Sequence, residues 1–310
     1  MDSGATLEEL EQRPDYDVQL ESLNQWQLAW RRFKRHRMAL LGSALFLFMV
    51  VVGLIGPFII PYDDTKIGLP DAKFNAGRPP SIAHLFGDTG RLHRDVLTLV
   101  VNGTRLSLLI GVLASAISAI VGTFVGGIAG YFGGWLDTIL MRIVDALLSL
   151  PLLFVILAFS QFLGEGHASW PTMVLIFGMF GWLGIARLVR AVMLSLREED
   201  YVDAARAAGV SDVRIIFRHL VPNSLSPIIV ATTLGVAGVI IGEAFVSFLG
   251  FGVDPATPTL GNILSGALEF ISQGNWWWAF FPGAAIVLIV LGINFMGDGL
   301  RDALDPRAKV

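Results

Sequence analysis

LSLLIGVLASAISAIVGTFVGGIA, residues 106–129, runs from Leu106 to Ala129 without one charged side chain. About 20 mostly apolar residues suffice to cross the ~30 Å hydrocarbon layer of a bilayer. A buried strand of a soluble sheet, by contrast, stops after about 4–8 residues. The stretch is therefore predicted to be a membrane-spanning helix. Its small residues recur every fourth position. Ala114, Ser118, Gly122, Gly126 and Gly130 form one series; Gly103, Ser107, Gly111, Ser115 and Ala119 form another. Small side chains let helix backbones approach closely in lipid, where packing drives association. Two such series predict a central helix packed on both sides.

Five more apolar runs surround it: Met38–Ile60, Ile139–Leu163, Thr172–Arg190, Pro227–Leu249 and Ala279–Met296. The whole chain of 310 residues is 54% hydrophobic and 15% charged, against about 25% charged in soluble domains. These features predict an all-α membrane protein with six transmembrane helices. The first run is too long for the apolar core of a signal peptide and reads as a retained anchor. Ahead of it, residues 1–21 are polar and acidic. Leu23, Trp26, Trp30 and Phe33 then recur at helical spacing beside Arg31, Arg32, Lys34, Arg35 and Arg37, the pattern of an amphipathic interfacial helix.

Basic residues set an expected orientation. The segments 164–171 and 250–278 contain no Lys or Arg. The segment 61–105 has Lys66, Lys73, Arg78, Arg91, Arg94 and Arg105, and the remaining basic residues flank the other ends of the runs. The positive-inside tendency then places both termini in the cytoplasm, in the cell (inner) membrane. The organisation read from this is a tail and interfacial helix (1–37), a first span with a long extracytoplasmic loop (38–105), a core of five spans (106–300) and a cytoplasmic tail (301–310).

Several classes of chemistry are absent from the chain. It has no cysteine and a net charge of −4, which disfavours nucleic acid as a partner. None of its lysines (Lys34, Lys66, Lys73, Lys309) follows a glycine, so it lacks the P-loop that cradles nucleotide phosphates. His36, His84, His93, His167 and His219 show no HExxH spacing, and GxSxG does not occur. Inside the apolar runs, Glu243 and Asn294 are candidate pathway-lining residues, because polar groups in a membrane usually face a cavity or a partner. Arg142 and Asp145 are three apart and are expected to pair on one helix face.

The polar stretch YVDAARAAGVSDVRIIFRHLVP, residues 201–222, separates the fourth and fifth runs. Gly209 can end one helix, Ser211 can cap the next, and Pro222 is expected to end it. Two short helices at an angle would suit a groove on a partner, or would merely connect two spans; local physics leaves both open.

The same stretch resembles the EAA loop of bacterial ABC-importer permeases. Asp203, Ala204 and Ala205 stand for EAA, Gly209 is in register, and His219 and Pro222 occupy the closing positions. Asp203 replaces the usual Glu, His219 the usual Ile and Val221 the usual Leu. SLNQWQLAWRRFKRHRMALLG (22–42), GEAFVSFLGFGV (242–253) and GDGLRDALDPR (297–307) are similar to the C-type permease of dipeptide, oligopeptide and nickel importers. HLFGDTGRLHRDV (84–96) resembles its FGTD…GRDV signature, with Asp88 and Thr89 exchanged and His93 where Gly is usual.

The resemblance implies a type I importer permease that works by alternating access. It would pair with a second permease chain and receive substrate from an extracytoplasmic binding protein. It would also dock two separate ATPases, which bind ATP and Mg. The chain itself would be non-catalytic and hold no cofactor. Asp203, Ala204, Ala205, Gly209, His219 and Pro222 would carry the ATPase coupling. A nickel or other small-solute importer is the alternative. An ion-coupled secondary transporter would call for an inverted repeat and several midplane carboxylates, which the sequence does not display.

Overall fold

A computed structural model describes residues 25–60, 77–89, 94–163 and 168–305. The acidic tail 1–21, Leu23, Lys66, Lys73, Arg91, His93, His167 and residues 306–310 lie outside them. Among the described residues the chain is helical with two isolated β-bridges. Helix α1 (Gln25–Arg35) is followed by the first span, α2 (Arg37–Ile59). The imidazole of His36 caps α2 by accepting from the Ala39 amide at 3.0 Å. Helix α1, expected at the membrane interface, packs on the bundle. Ala29 and Phe33 are buried, Phe33 packing against Ala39 and Ala303, while Trp26 and Trp30 stay exposed.

Helix α3 (Val96–Phe132) begins ten residues before the apolar run that announced it. Asp95 explains the early start: its carboxylate accepts from the Thr98 amide at 2.8 Å and from the Thr98 hydroxyl at 3.0 Å. Such a cap satisfies amides that the first helical turn leaves unpaired. At about 1.5 Å per residue, the 37 residues of α3 extend beyond the hydrocarbon layer.

The third apolar run is not one straight helix. It forms α4 (Gly134–Ser149) and α5 (Leu152–Leu163), with an 86° bend between them. Pro151 is the cause. A residue before proline is pushed out of the α region, and Leu150 is extended at ψ 136. The Arg142–Asp145 pair expected on this segment is replaced by a pair between helices. Asp145 meets Arg187, and Asp137 meets Arg190, both on α6 (Trp170–Leu196).

After α6 come α7 (Asp200–Ala207) and α8 (Asp212–Ile215), then a π-helical turn over Ile216–Leu220 that leads into α9 (Val221–Phe248). The segment 250–278, which lies outside the six apolar runs, contains an apolar helix, α10 (Leu260–Ile271). With 12 residues it is too short to cross a bilayer, so run length did not flag it. Helix α11 (Trp276–Leu304) is the last.

Among the described residues five helices are long and apolar enough to span a membrane, and the bent α4–α5 pair is a sixth candidate. Side-chain and backbone contacts define two ends of the bundle. At one, Tyr131 meets Asp212, Arg197 reaches the carbonyls of Gly130 and Tyr131, and His36 meets Asp302. At the other, Ala168 bridges Val253, and the Trp277 indole donates to the Asp88 carbonyl at 3.0 Å. The bent pair enters from Gly133 at the first end and leaves toward Ala168 at the second. With its two ends at opposite ends of the bundle, the bent pair fits a broken span, which would make six passages among the described residues.

Helix α3 is packed on both sides, as its two small-residue series predict. One series faces α6. A Cβ at Gly122 would come within 2.7 Å of Ile185, and one at Gly130 within 2.6 Å of Met193. The other faces α9 and α10: a Cβ at Gly111 would meet Ile240 at 2.7 Å, and one at Gly103 would meet Ile263 at 2.8 Å.

Candidate functional site: the connector and the cleft

The connector 200–220 is built from the inside outward. Val202, Ile215, Ile216 and Leu220 are buried against Tyr131, Ile185, Val189 and Met193. Helix α7 ends in a paired turn: Gly209 N–H donates to the Arg206 carbonyl at 2.9 Å, and Val210 N–H to the Ala205 carbonyl at 3.1 Å. This is the Schellman arrangement, which needs a left-handed residue after the cap. Gly209 supplies it at φ +75. Ser211 stands at the start of α8 with extended backbone, but its side chain makes no capping bond.

Pro222 does not end a helix, contrary to the sequence reading. It sits in the first turn of α9, and the helical path continues from Asp212 to Phe248. The π-helical turn before it gives the reason. There Val221 N–H donates five residues back, to Ile216. A widened turn relieves the clash of a proline ring with the carbonyl four residues earlier. The second half of the connector is thus one piece with a membrane span.

Of the six residues expected to carry coupling, Asp203, Ala204, Gly209 and Pro222 are exposed, and Ala205 and His219 are half-buried. They share one end of the bundle. Val213 and Phe217 are also exposed, at 64% and 60%, and belong to the same surface. Sequence reasoning did not single them out; their signal was an apolar side chain on the polar face of a connector. Asp203 is bonded to Arg206 at 3.1 Å, and the Arg206 guanidinium lies 5.4 Å over the Tyr131 ring. That ring carries the hydroxyl that donates to Asp212, so both halves of the connector are tied to the end of α3.

Glu243, a candidate pathway residue, is bonded in this structure to hydroxyls of its own and a neighbouring helix. It is fully enclosed. The Ser247 hydroxyl donates to one carboxylate oxygen at 2.7 Å, and the Ser107 hydroxyl donates to the other at 3.2 Å. Ser107 in turn accepts from the Leu260 amide at 3.2 Å. A carboxylate in an apolar interior must find such donors, and here they come from α3, α9 and the start of α10. Glu243 is a three-helix tie. Asn294 is half-buried on α11 and does not line the cleft described next.

That cleft, about 650 Å³, opens between α3, α5, α6 and α9. Ser115, Ser118, Gly184, Gly235 and Gly238 are among its walls. Where a Cβ at Gly122 or Gly130 would collide with α6, one at Gly184 or Gly238 would meet nothing within 4 Å. Packing within this chain therefore does not explain these two glycines. The Ser115 hydroxyl is buried without a hydrogen-bond partner.

The comparisons with known proteins agree with this architecture. The family described as binding-protein-dependent transport system inner membrane component matches residues 122–310. The N-terminal TM domain of oligopeptide transport permease C matches residues 24–79. The chain is 38% identical to the dipeptide transport system permease protein DppC of Bacillus subtilis over 99% of its own length and 94% of that protein's. It is 37% identical to DppC of Haemophilus influenzae, over 90% and 94% of the two chains. The oligopeptide transport system permease protein OppC of Bacillus subtilis is 35% identical, over 94% and 93%. The chain belongs to the family of binding-protein-dependent transport system inner membrane components, and is a multi-pass membrane permease subunit of an ABC transporter.

Proposed function

We propose that this chain forms one half of the translocation pathway of an ATP-driven importer of short peptides, and that the connector 200–220 is where it is driven. The peptide substrate is supported by the names of its dipeptide and oligopeptide relatives. A second permease chain completes the pathway, and an extracytoplasmic binding protein delivers the cargo. Two separate ATPase subunits bind ATP and Mg. The cleft between α3, α5, α6 and α9 is this chain's share of the path.

One observation carries the mechanism: the helix that starts at Asp212 on the exposed surface runs into the span α9. An ATPase seated against Asp203, Ala204, Gly209, Val213, Phe217, His219 and Pro222 pushes on a lever, not on a slack loop. The buried contacts of Val202, Ile215 and Leu220 with α3 and α6 pass the displacement to two further spans. Closure of the ATPases then favours one arrangement of the bundle by the difference in contact energy between the two states.

The basic end of the bundle is the cytoplasmic one in this reading. Because the chain has no cysteine, single cysteines report cleanly. Ala208→Cys should resist an impermeant thiol reagent in intact cells, and Asp254→Cys should react. Phe217→Glu should abolish co-purification of the ATPase subunits while the chain still inserts. Retention of the ATPases with peptide-stimulated hydrolysis at the unaltered level would refute the coupling role.

A further inference from the structure

The surface of helix α1 is sorted into adjacent strips, as its helical spacing dictates. Ala29 and Phe33, four apart, form the buried strip. Trp26 and Trp30, also four apart, lie beside it, 48% and 58% exposed. Lys34, Arg31 and Arg35 come next, and all three are exposed. Arg37, exposed as well, opens α2. Met38, Leu40 and Leu41 follow it with exposed apolar side chains, so the lipid-facing side of the first span begins where the cations stop.

These cations sit on a fixed support. Arg32 donates to the Asp305 carbonyl at 2.9 Å, and His36 Nε2 stands 3.5 Å from the Asp302 carboxylate. Phe33 packs on Ala39 and Ala303, which ties α1 to both α2 and α11. The Lys34 ammonium lies 5.0 Å over the Trp30 ring.

Their charge is unbalanced. Five of the seven residues 31–37 are Arg or Lys, in a chain whose net charge is −4. Among the described residues, none of Arg31, Lys34, Arg35 and Arg37 forms an ion pair. Like charges gathered on one rigid face repel, and anions from outside the face relieve that repulsion. The neighbouring indoles have an apolar body and a polar N–H, which suits the boundary between acyl chains and headgroups.

We propose that this face binds the headgroups of anionic phospholipids in the leaflet at the connector's end of the bundle. Arg31, Lys34, Arg35 and Arg37 are the cationic contacts, and Trp26 and Trp30 sit just below them. This inference rests neither on the peptide reading nor on which side of the membrane that leaflet faces. The competing occupant is the chain's own acidic segment 1–21, with Glu8, Glu9, Glu11, Asp15, Asp17 and Glu21. The exposed indoles and the apolar side chains of Met38, Leu40 and Leu41 at the edge of the face favour lipid. Carboxylates would match the cations but leave those apolar groups in water.

The test uses the complete transporter in nanodiscs that contain equal fractions of brominated phosphatidylglycerol or brominated phosphatidylcholine. Bromine quenches indole fluorescence on contact. Subtracting the signal of the Trp26→Phe/Trp30→Phe double variant isolates these two rings. Brominated phosphatidylglycerol should quench them about threefold or more as strongly as the choline lipid, because each basic residue near a surface attracts anionic lipid. Molar salt, which cuts the Debye length to about 3 Å, should bring the ratio close to one. Combining Arg31→Gln, Lys34→Gln, Arg35→Gln and Arg37→Gln should do the same. Combining Arg31→Lys, Arg35→Lys and Arg37→Lys should keep most of the preference.

A ratio near one for the unaltered transporter would overturn the proposal, and so would a preference that ignores salt. The salt titration needs no variant, so it decides even where the fourfold change prevents assembly. An undiminished preference in the fourfold glutamine variant would assign the lipid to other surfaces of the complex and overturn it too. A ratio near one that rises when residues 2–21 are removed would give the face to the acidic segment instead.

Discussion

The Tyr131 hydroxyl donates to the Asp212 carboxylate at 2.5 Å, joining the last turn of α3 to the first residue of α8 across 81 positions of sequence. Asp212 opens the lever that continues as α9, and Tyr131 stands in the last turn of the helix at the centre of the bundle. The bond therefore sits where the connector and the membrane core must move together.

Tyr131→Phe removes this bond and the hydroxyl's contact with Arg206, while the ring stays in place among Ile185, Val189 and Met193. A hydrogen bond to a charged group is worth about 1.5–3 kcal/mol. The variant is expected to insert and to retain its ATPase partners, with peptide uptake per ATP hydrolysed reduced several-fold. Simultaneous measurement of uptake and hydrolysis checks this; an unchanged ratio would show that the bond does not transmit motion.

Gly209 offers a graded test of the connector. A Cβ there meets nothing within 4 Å, so steric crowding plays no part, and φ +75 is the whole constraint. Asparagine tolerates a left-handed conformation, alanine strains there by about 1–2 kcal/mol, and proline fixes φ near −65° and removes the donor to Arg206. ATPase co-purification should fall in the order Gly209→Asn, Gly209→Ala, Gly209→Pro. Equal retention by all three would mean that the angle between α7 and α8 is irrelevant to docking.

Glu243 is expected to behave as a structural tie. Glu243→Ala would leave the hydroxyls of Ser107 and Ser247 without their acceptor in a closed site. About 1–3 kcal/mol is lost for each polar group left unsatisfied. Yield and thermal stability of the assembled complex should drop, while the complexes that do form keep their KM for peptide. A raised KM at normal yield would instead return Glu243 to the pathway.

Gly126 and Gly127 are neighbours with opposite expectations. A Cβ on Gly126 would fall on the Ala186 carbonyl oxygen, which is backbone and cannot turn aside. A Cβ on Gly127 would come within an ordinary 3.9 Å of the flexible end of Met193. Gly126→Ala should force α3 from α6 and cost about 1–3 kcal/mol or more, as overpacking does. Gly127→Ala should be close to neutral. Expression level and melting temperature in detergent compare the two directly.

Membrane class, the six apolar runs and the small-residue faces of α3 were legible in the sequence by itself. Run length, charge and four-residue spacing are local properties of a chain, and lipid rewards them directly. The left-handed turn at Gly209 was legible for the same reason, since only glycine holds that conformation at little cost. Where the reading went wrong, a neighbour decided the outcome. Pro222 looked like a helix end, yet the π-helical turn makes room for its ring and carries the helix onward. Asp145 looked like the partner of Arg142 until α6 brought Arg187 closer. Glu243 as a letter left open a pathway carboxylate or a bond to a neighbouring helix, and the packing of α3 and the start of α10 supplied the bond. Gly122 and Gly238 are alike as letters, but one faces the backbone of α6 and the other an open cleft. What stands opposite a side chain is settled only when distant segments pack, and that is why the tie and the cleft belong to the tertiary structure alone.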